Sequence, residues 1–303
     1  MSKELGAILL GLMASFLFAA AAYLQQRAAR QTEREGEGVV DALAHLMKKL
    51  VRNRLWFFGW LVNLAGFGFQ AAALHLGSVA SVQPLLATQL MFALPMSSLE
   101  LKRWPRLRDW GSGLALCGAL VLLLVVVNAS PLQGKPDREK IILAVGCELA
   151  LILVTMPVAF RMPSEVMNIA GAVGAGLCFS MTAVFLRLTG DDLADHGVSY
   201  TAQDWVGYAL AGSTALGLVL EQAAFANGPL PWAVATKESV NPIASYAIGV
   251  LAFPTALPAG AGPLAAIAGA GALLVAGSIG LAHSPSSQVW MRRSSDNPDT
   301  AVS

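Results

Sequence analysis

Residues 81–84 read S-V-Q-P and residues 239–242 read S-V-N-P, and the likeness continues on both sides of the two copies. G-A-I-L-L-G-L-M-A-S at 6–15 aligns with G-A-V-G-A-G-L-C-F-S at 171–180. The alignment pairs Gly6 with Gly171, Ala7 with Ala172, Gly11 with Gly176, Leu12 with Leu177 and Ser15 with Ser180. Q-A-A at 70–72 matches Q-A-A at 222–224, Pro95 matches Pro254, and Gly118 matches Gly277. The order is kept while the offset drifts between 152 and 165 residues. One ancestral unit written twice, with small insertions, gives this pattern.

The unit is apolar. The chain of 303 residues is 55 % hydrophobic and 13 % charged, with a mean hydropathy of +0.60, whereas soluble domains carry about 25 % charged residues. A helix needs about 20 apolar residues to cross the hydrocarbon of a bilayer. Runs of that kind lie near 5–26, 56–76, 79–99, 109–128, 140–160, 166–188, 204–225, 239–257 and 262–283. The expected fold class is therefore all-α, a polytopic membrane protein of about nine spans. Residues 1–160 form the first repeat (spans 1–5) and 161–284 the second (spans 6–9). The tail at 285–303, rich in Ser, Pro and Asp, is expected to be disordered and cytoplasmic.

Basic residues set the orientation. With the N-terminus outside, fifteen of the 20 Lys and Arg residues fall on the inner side, including Arg27, Arg30, Lys48, Lys49, Lys102, Arg103, Arg161 and Lys237. The other five are Lys3, Lys135, Arg138, Lys140 and Arg187. Short loops rich in Lys and Arg stay inside. The expected location is the plasma (inner) membrane, with the C-terminus cytoplasmic and the acidic Asp191, Asp192 and Asp195 outside. In the first span the positive charges follow the apolar run, which is the order of an anchor and not of a cleaved signal. Residues 33–54 are too polar to cross. They set Val39, Val40, Leu43, Leu46, Met47, Leu50 and Val51 at helical spacing against Lys48, Lys49, Arg52 and Arg54, which predicts a helix on the inner surface.

On this count spans 1 and 3 run inward while spans 6 and 8, their partners in the repeat, run outward. Inverted repeats are a signature of secondary transporters, whose substrates bind near the midplane between the halves. The repeated motif has two readings. Ser81 with Pro84, and Ser239 with Pro242, fit a hydroxyl-capped helix start with proline in the first turn. Alternatively, both helices begin or break inside the membrane and leave N–H groups free beside the substrate path. Pro95 and Pro254, set inside their spans, predict kinks.

The stretch L-W-F-F-G-W-L-V-N-L-A-G-F-G-F-Q-A-A-A-L-H-L-G-S-V-A-S-V-Q-P-L at 55–85, L-E-L-K-R at 99–103 and G-x-x-L-x-x-C-G-A-L at 111–120 together resemble the drug/metabolite transporter superfamily. The nine-span layout is similar to its EamA/NIPA-like branch, some members of which move magnesium. N-P-I-A-S-Y-A-I-G-V-L-A-F at 241–253 is similar to the superfamily's repeated helix, which usually closes with a Glu. Glu100 stands at that position in the first half, and the counterpart near Ala259 carries no acid.

Polar stripes suggest which faces look inward. Gly59, Asn63, Gly66 and Gln70 share one face of span 2, and Asn241, Ser245, Gly249 and Ala252 share one face of span 8. Ser81, Pro84 and Thr88 do the same in span 3. Such stripes are either helix contacts or cavity walls. Glu148, midway along span 5, stands apart, because an ionised carboxylate at that depth must be paired, protonated or hydrated. It is read either as a proton-coupling or cation-binding group or as a protonated carboxyl held by a neighbour. Thr155 lies two turns further on. The expected path residues are thus Glu148, Asn63, Gln70, Gln83, Asn241, Ser245 and Thr155, with Glu148 the alternative metal ligand.

The first expectation is a carrier of a small polar or amphipathic metabolite or drug. The second is a carrier of magnesium or another divalent cation, and the third is a membrane scaffold that moves nothing. No Ser/His/Asp grouping, H-E-x-x-H, phosphate-cradling loop or Cys/His cluster occurs, so no enzyme activity and no cofactor are expected. Cys117, Cys147 and Cys178 all fall within apolar spans, which argues against a disulfide framework. The expected partners are the lipid bilayer and the solute, not nucleic acid.

Overall fold

The computed structural model describes residues 3–32, 38–76, 82, 85–101, 104–126, 137–252 and 261–282, and among them there is no β-strand. The helices are α1 Lys3–Arg30, α2 Val39–Val51, α3 Arg54–Leu76, α4 Gln89–Leu101 and α5 Leu107–Val126. They continue with α6 Arg138–Phe160, α7 Ser164–Thr201, α8 Trp205–Asn227, α9 Leu230–Ala252 and α10 Ala261–Ala282. The expectations for Ser81, Gln83, Pro84, Pro254 and the tail lie outside the described residues.

Five of these helices, α1, α3, α6, α7 and α8, are long and apolar enough to cross a membrane. Their packing is that of a membrane protein. The interior is lined by small residues such as Ala14, Ala19, Ala28, Ala73, Ala172 and Ala175, while Phe57, Phe58, Leu64, Leu143, Leu153 and Val154 stand exposed. In lipid no hydrophobic force draws helices together, so small side chains that permit close backbone approach take the contacts and bulky ones face the hydrocarbon.

Helix α1 packs chiefly on α3, and α7 packs chiefly on α8. Helix α4 touches α1, α9 touches α7, α5 lies along α10, and α9 also meets α4 and α6. Glycines mark the closest approaches. A Cβ on Gly66 would stand 2.8 Å from the Phe18 ring of α1, one on Gly11 would stand 2.8 Å from Leu85, and one on Gly176 2.8 Å from Val240 of α9. At Gly171 the neighbours are backbone, the Ala224 nitrogen and the Leu220 oxygen of α8, each 3.0 Å away. Backbone cannot rotate aside. Gly171→Leu is therefore expected to lower stability by about 1–3 kcal/mol in detergent unfolding, whereas Gly68→Leu, which meets nothing within 4 Å, is expected to change it by about 0.5 kcal/mol or less.

Three sequence boundaries move. Helix α9 starts at Leu230, nine residues before Ser239, because G-P-L-P at 228–231 opens it and the Pro229 carbonyl accepts from Trp232 and Ala233. Ser239 is thus no cap: its hydroxyl bonds back to the Ala235 carbonyl at 2.7 Å. Pro242 sits inside the helix and removes the usual partner of the Glu238 carbonyl. Pro95 likewise lies inside α4, whose start at Gln89 follows a turn at Thr88.

Helix α7 runs past the expected end of its span to Thr201, bending at Gly197, whose φ of 76° suits glycine. Asp191, Asp192 and Asp195 therefore sit on a helical extension. The surface helix forms over Val39–Val51, with Leu46 and Leu50 buried and Val40 and Val51 exposed.

Candidate functional site

Glu148 lies on the buried stripe of α6 formed by Ile141, Ala144, Val145, Ile152 and Met156, at successive three- and four-residue steps. That stripe faces α7, and there the carboxylate accepts a hydrogen bond from Ser180 Oγ at 3.0 Å. Ser180 is fully buried and also donates to its own helix at the Leu177 carbonyl, 2.6 Å away. One hydroxyl proton serves two acceptors, so the Glu148 contact is only part of what a carboxylate at this depth requires.

Ser15, the repeat partner of Ser180, is also fully buried. Its hydroxyl lies 2.9 Å from Thr88 Oγ1, and Thr88 in turn donates to the Leu85 carbonyl at 2.6 Å. The two equivalent serines thus each meet a polar group on a neighbouring helix segment, a carboxylate in one half and a hydroxyl in the other. Further along α7, Thr182 Oγ1 lies 3.0 Å from Ser213 Oγ and 3.3 Å from Thr214 Oγ1 of α8.

The remaining expected path residues are distributed differently. Asn241 and Ser245 pair along α9, with Ser245 Oγ donating to Asn241 Oδ1 at 3.4 Å, and α9 packs against both α6 and α7. Thr155 is exposed and turns its hydroxyl to the Leu151 carbonyl at 2.7 Å. Asn63 and Gln70 are half-buried on α3, which packs mainly on α1 and α2, so the structure does not bring them to Glu148. Gly59 and Gly66 of the same stripe are contacts with α1.

Two polar clusters were not among the expected residues. Gln222 of α8, 1 % exposed, accepts from Trp56 Nε1 at 3.0 Å and donates to Gln25 Oε1 of α1 at 2.8 Å. Beside it Gln26 and Arg30 both donate to the Gly228 carbonyl, at 2.7 Å and 3.0 Å. These bonds stitch α1 to the end of α8. Gln222→Leu would leave a buried amide and a buried indole without partners. A loss of about 1–2 kcal/mol is expected, readable as a lowered unfolding midpoint.

The second cluster is ionic. Lys237 of α9 reaches Glu221 of α8 at 2.8 Å and Glu238 at 3.1 Å, with side chains 15 %, 12 % and 33 % exposed. The Phe179 ring of α7 lies 5.7 Å from the ammonium. At the opposite ends of these helices Arg138 binds Asp192 at 2.8 Å and Asp204 at 3.1 Å. Asp137, just before α6, caps that helix through the Lys140 N–H, which holds its carboxyl below the usual range. The i,i+1 spacing of Lys237 and Glu238 carries no helix-pairing signal, whereas the Q-A-A match at 222–224 already marked Gln222.

The fold and these interior polar groups define a helical membrane protein. No family model and no solved structure matches the chain. It is 25 % identical over 255 residues, 83 % of its own length and 86 % of the relative's, to a protein of Corynebacterium glutamicum described only as uncharacterized.

Proposed function

We propose that the chain is a secondary transporter of the drug/metabolite transporter type, carrying a small polar or amphipathic organic solute by alternating access. Nine spans form two inverted repeats in the plasma membrane, with the N-terminus outside and the C-terminus cytoplasmic. The observation that carries the reading is Glu148 held by Ser180 at mid-helix, while the serine's repeat partner Ser15 meets Thr88 in the other half.

The packing supports the same reading. The α1–α3 pair corresponds to α7–α8, α1–α4 to α7–α9, and α4–α5 to α9–α10. Helices α5 and α10, and α4 and α9, meet their own counterparts across the two halves. Inverted repeats of this kind give two arrangements of similar energy, one open to each side. Two ion-pair clusters, Lys237 with Glu221 and Arg138 with Asp192, lie toward opposite ends of the bundle, and in this reading each closes one side in turn.

An organic solute is ranked first because the group that meets Glu148 is a hydroxyl, that of Ser180. Among the described residues no group of three or more His, Cys, Asp or Glu side chains gathers around one point, and a divalent ion calls for several oxygen ligands.

The test is thermal stability of the purified protein across magnesium, other divalent ions, amino acids, nucleosides and quaternary amines, since a true ligand stabilises the folded state by mass action. A shift with one organic class is expected. A shift with magnesium alone would replace this reading with cation carriage, and silence across the panel would favour a scaffold.

A further inference from the structure

The corner where α2 turns into α3 carries a feature that the transport reading does not use. An open cleft of about 400 Å³ is walled by Val51, Arg52, Arg54, Phe57, Phe58 and Leu61. Asn53, at its base, spends its side-chain oxygen on the Leu55 and Trp56 N–H groups at 2.8 Å and 3.4 Å, so the first turn of α3 is already capped. Arg52 and Arg54 are both exposed, and neither guanidinium forms a hydrogen bond or ion pair with a described residue. Phe57, Phe58 and Leu61 are 58 %, 55 % and 48 % exposed and continue as an apolar wall along α3, one of the five helices able to cross a membrane.

Two guanidiniums unpaired among the described residues, at the head of an exposed apolar wall, fit an amphiphile with an anionic head. A soluble anion would pair with the arginines and leave the wall bare. A zwitterionic lipid would cover the wall but set its own cation beside the two already there. An anionic phospholipid does both, because guanidinium binds phosphate bidentately and basic groups beside a membrane attract acidic headgroups. We infer that the α2–α3 corner binds one anionic phospholipid, its phosphate held between Arg52 and Arg54 and an acyl chain laid along Phe57, Phe58 and Leu61. Because α2 also touches α6 and α8, the lipid sits where the surface helix joins the two halves of the bundle.

Native mass spectrometry of the full-length protein, titrated with phosphatidylglycerol, phosphatidylcholine or inorganic phosphate, tests this. One phosphatidylglycerol is expected to survive collisional energies that strip phosphatidylcholine, with no retained phosphate. R52Q/R54Q is expected to reduce that retention about tenfold, the loss of two guanidinium–phosphate contacts. R106Q/R108Q, an equal charge loss on the same expected side, is expected to retain it like the parent, as is R52Q/R54Q for phosphatidylcholine. Equal retention of the two lipids, or an equal drop in both double variants, would overturn the proposal, as would full retention in R52Q/R54Q. Should R52Q/R54Q fail to fold, F58A is expected to lower phosphatidylglycerol retention without changing net charge, and parental retention in F58A would overturn it.

Discussion

Lys237→Met is expected to lower the unfolding free energy by about 3 kcal/mol, because removing one partner of a buried ion pair strands the charge that remains. Glu221 is only 12 % exposed and its carboxylate depends on the ammonium 2.8 Å away. Glu238, 33 % exposed, can turn to water, so most of the loss traces to Glu221. The double variant E221Q/K237M removes both charges and is expected to recover about half of the loss, since an apolar replacement of a whole buried pair is often neutral. Unfolding in mixed detergent micelles, read by tryptophan fluorescence, measures both. If the single and double variants lose the same amount, the pair is not coupled and the cluster is not an energetic unit.

The second large effect concerns function. Glu148→Gln keeps a side chain of the same shape, and its amide oxygen can still accept from Ser180 Oγ, so the fold is expected to stay intact. What disappears is the ability to gain and lose a proton or to balance a cation. Affinity for the solute that stabilises the parent protein is expected to fall about tenfold or more, the size of an ordinary coupling free energy between two sites. The pH dependence of transport is expected to vanish with it. Unchanged transport at every pH would reduce Glu148 to a buried carboxyl held by a serine, with no part in carriage.

The helices were legible because apolar length is written locally. The runs at 5–26, 56–76 and 140–160 each fall within one helix and that at 204–225 matches another to within one residue at its start, and the surface helix was announced by Leu46 and Leu50 recurring at four-residue spacing. The boundaries missed were those where charge is neutralised at a distance. Lys237 and Glu238 made the start of α9 look like a loop, yet Glu221, 16 residues away, supplies the countercharge that lets both lie in a helix. Asp192 made the end of α7 look like a loop, yet Arg138, 54 residues earlier, binds it.

Of the candidate site, the residue type was visible and the partner was not. Glu148 was conspicuous as a carboxylate among aliphatic residues, and Ser180 was already paired with Ser15 by the repeat. That the two touch depends on α6 lying along α7, which hydropathy does not encode. Gln222 and Gln25 are 197 residues apart and meet only because α1 crosses to α8. Thr155 was placed on the face of Glu148 by periodicity, but α7 covers only part of that face and leaves Thr155 exposed.

Alternating access makes a claim that does not depend on the solute, and thiol labelling tests it most directly. With Cys117, Cys147 and Cys178 replaced by alanine, a single cysteine is placed at Ser180 and, separately, at Ser15. Each protein is exposed to a membrane-impermeant maleimide in right-side-out and in inverted vesicles. Both buried positions are expected to label slowly from either side if, as proposed, each lines the path in turn when the bundle opens outward and inward. Labelling from neither side would mean that these serines are sealed helix contacts, and the account of a carrier built around them would be wrong.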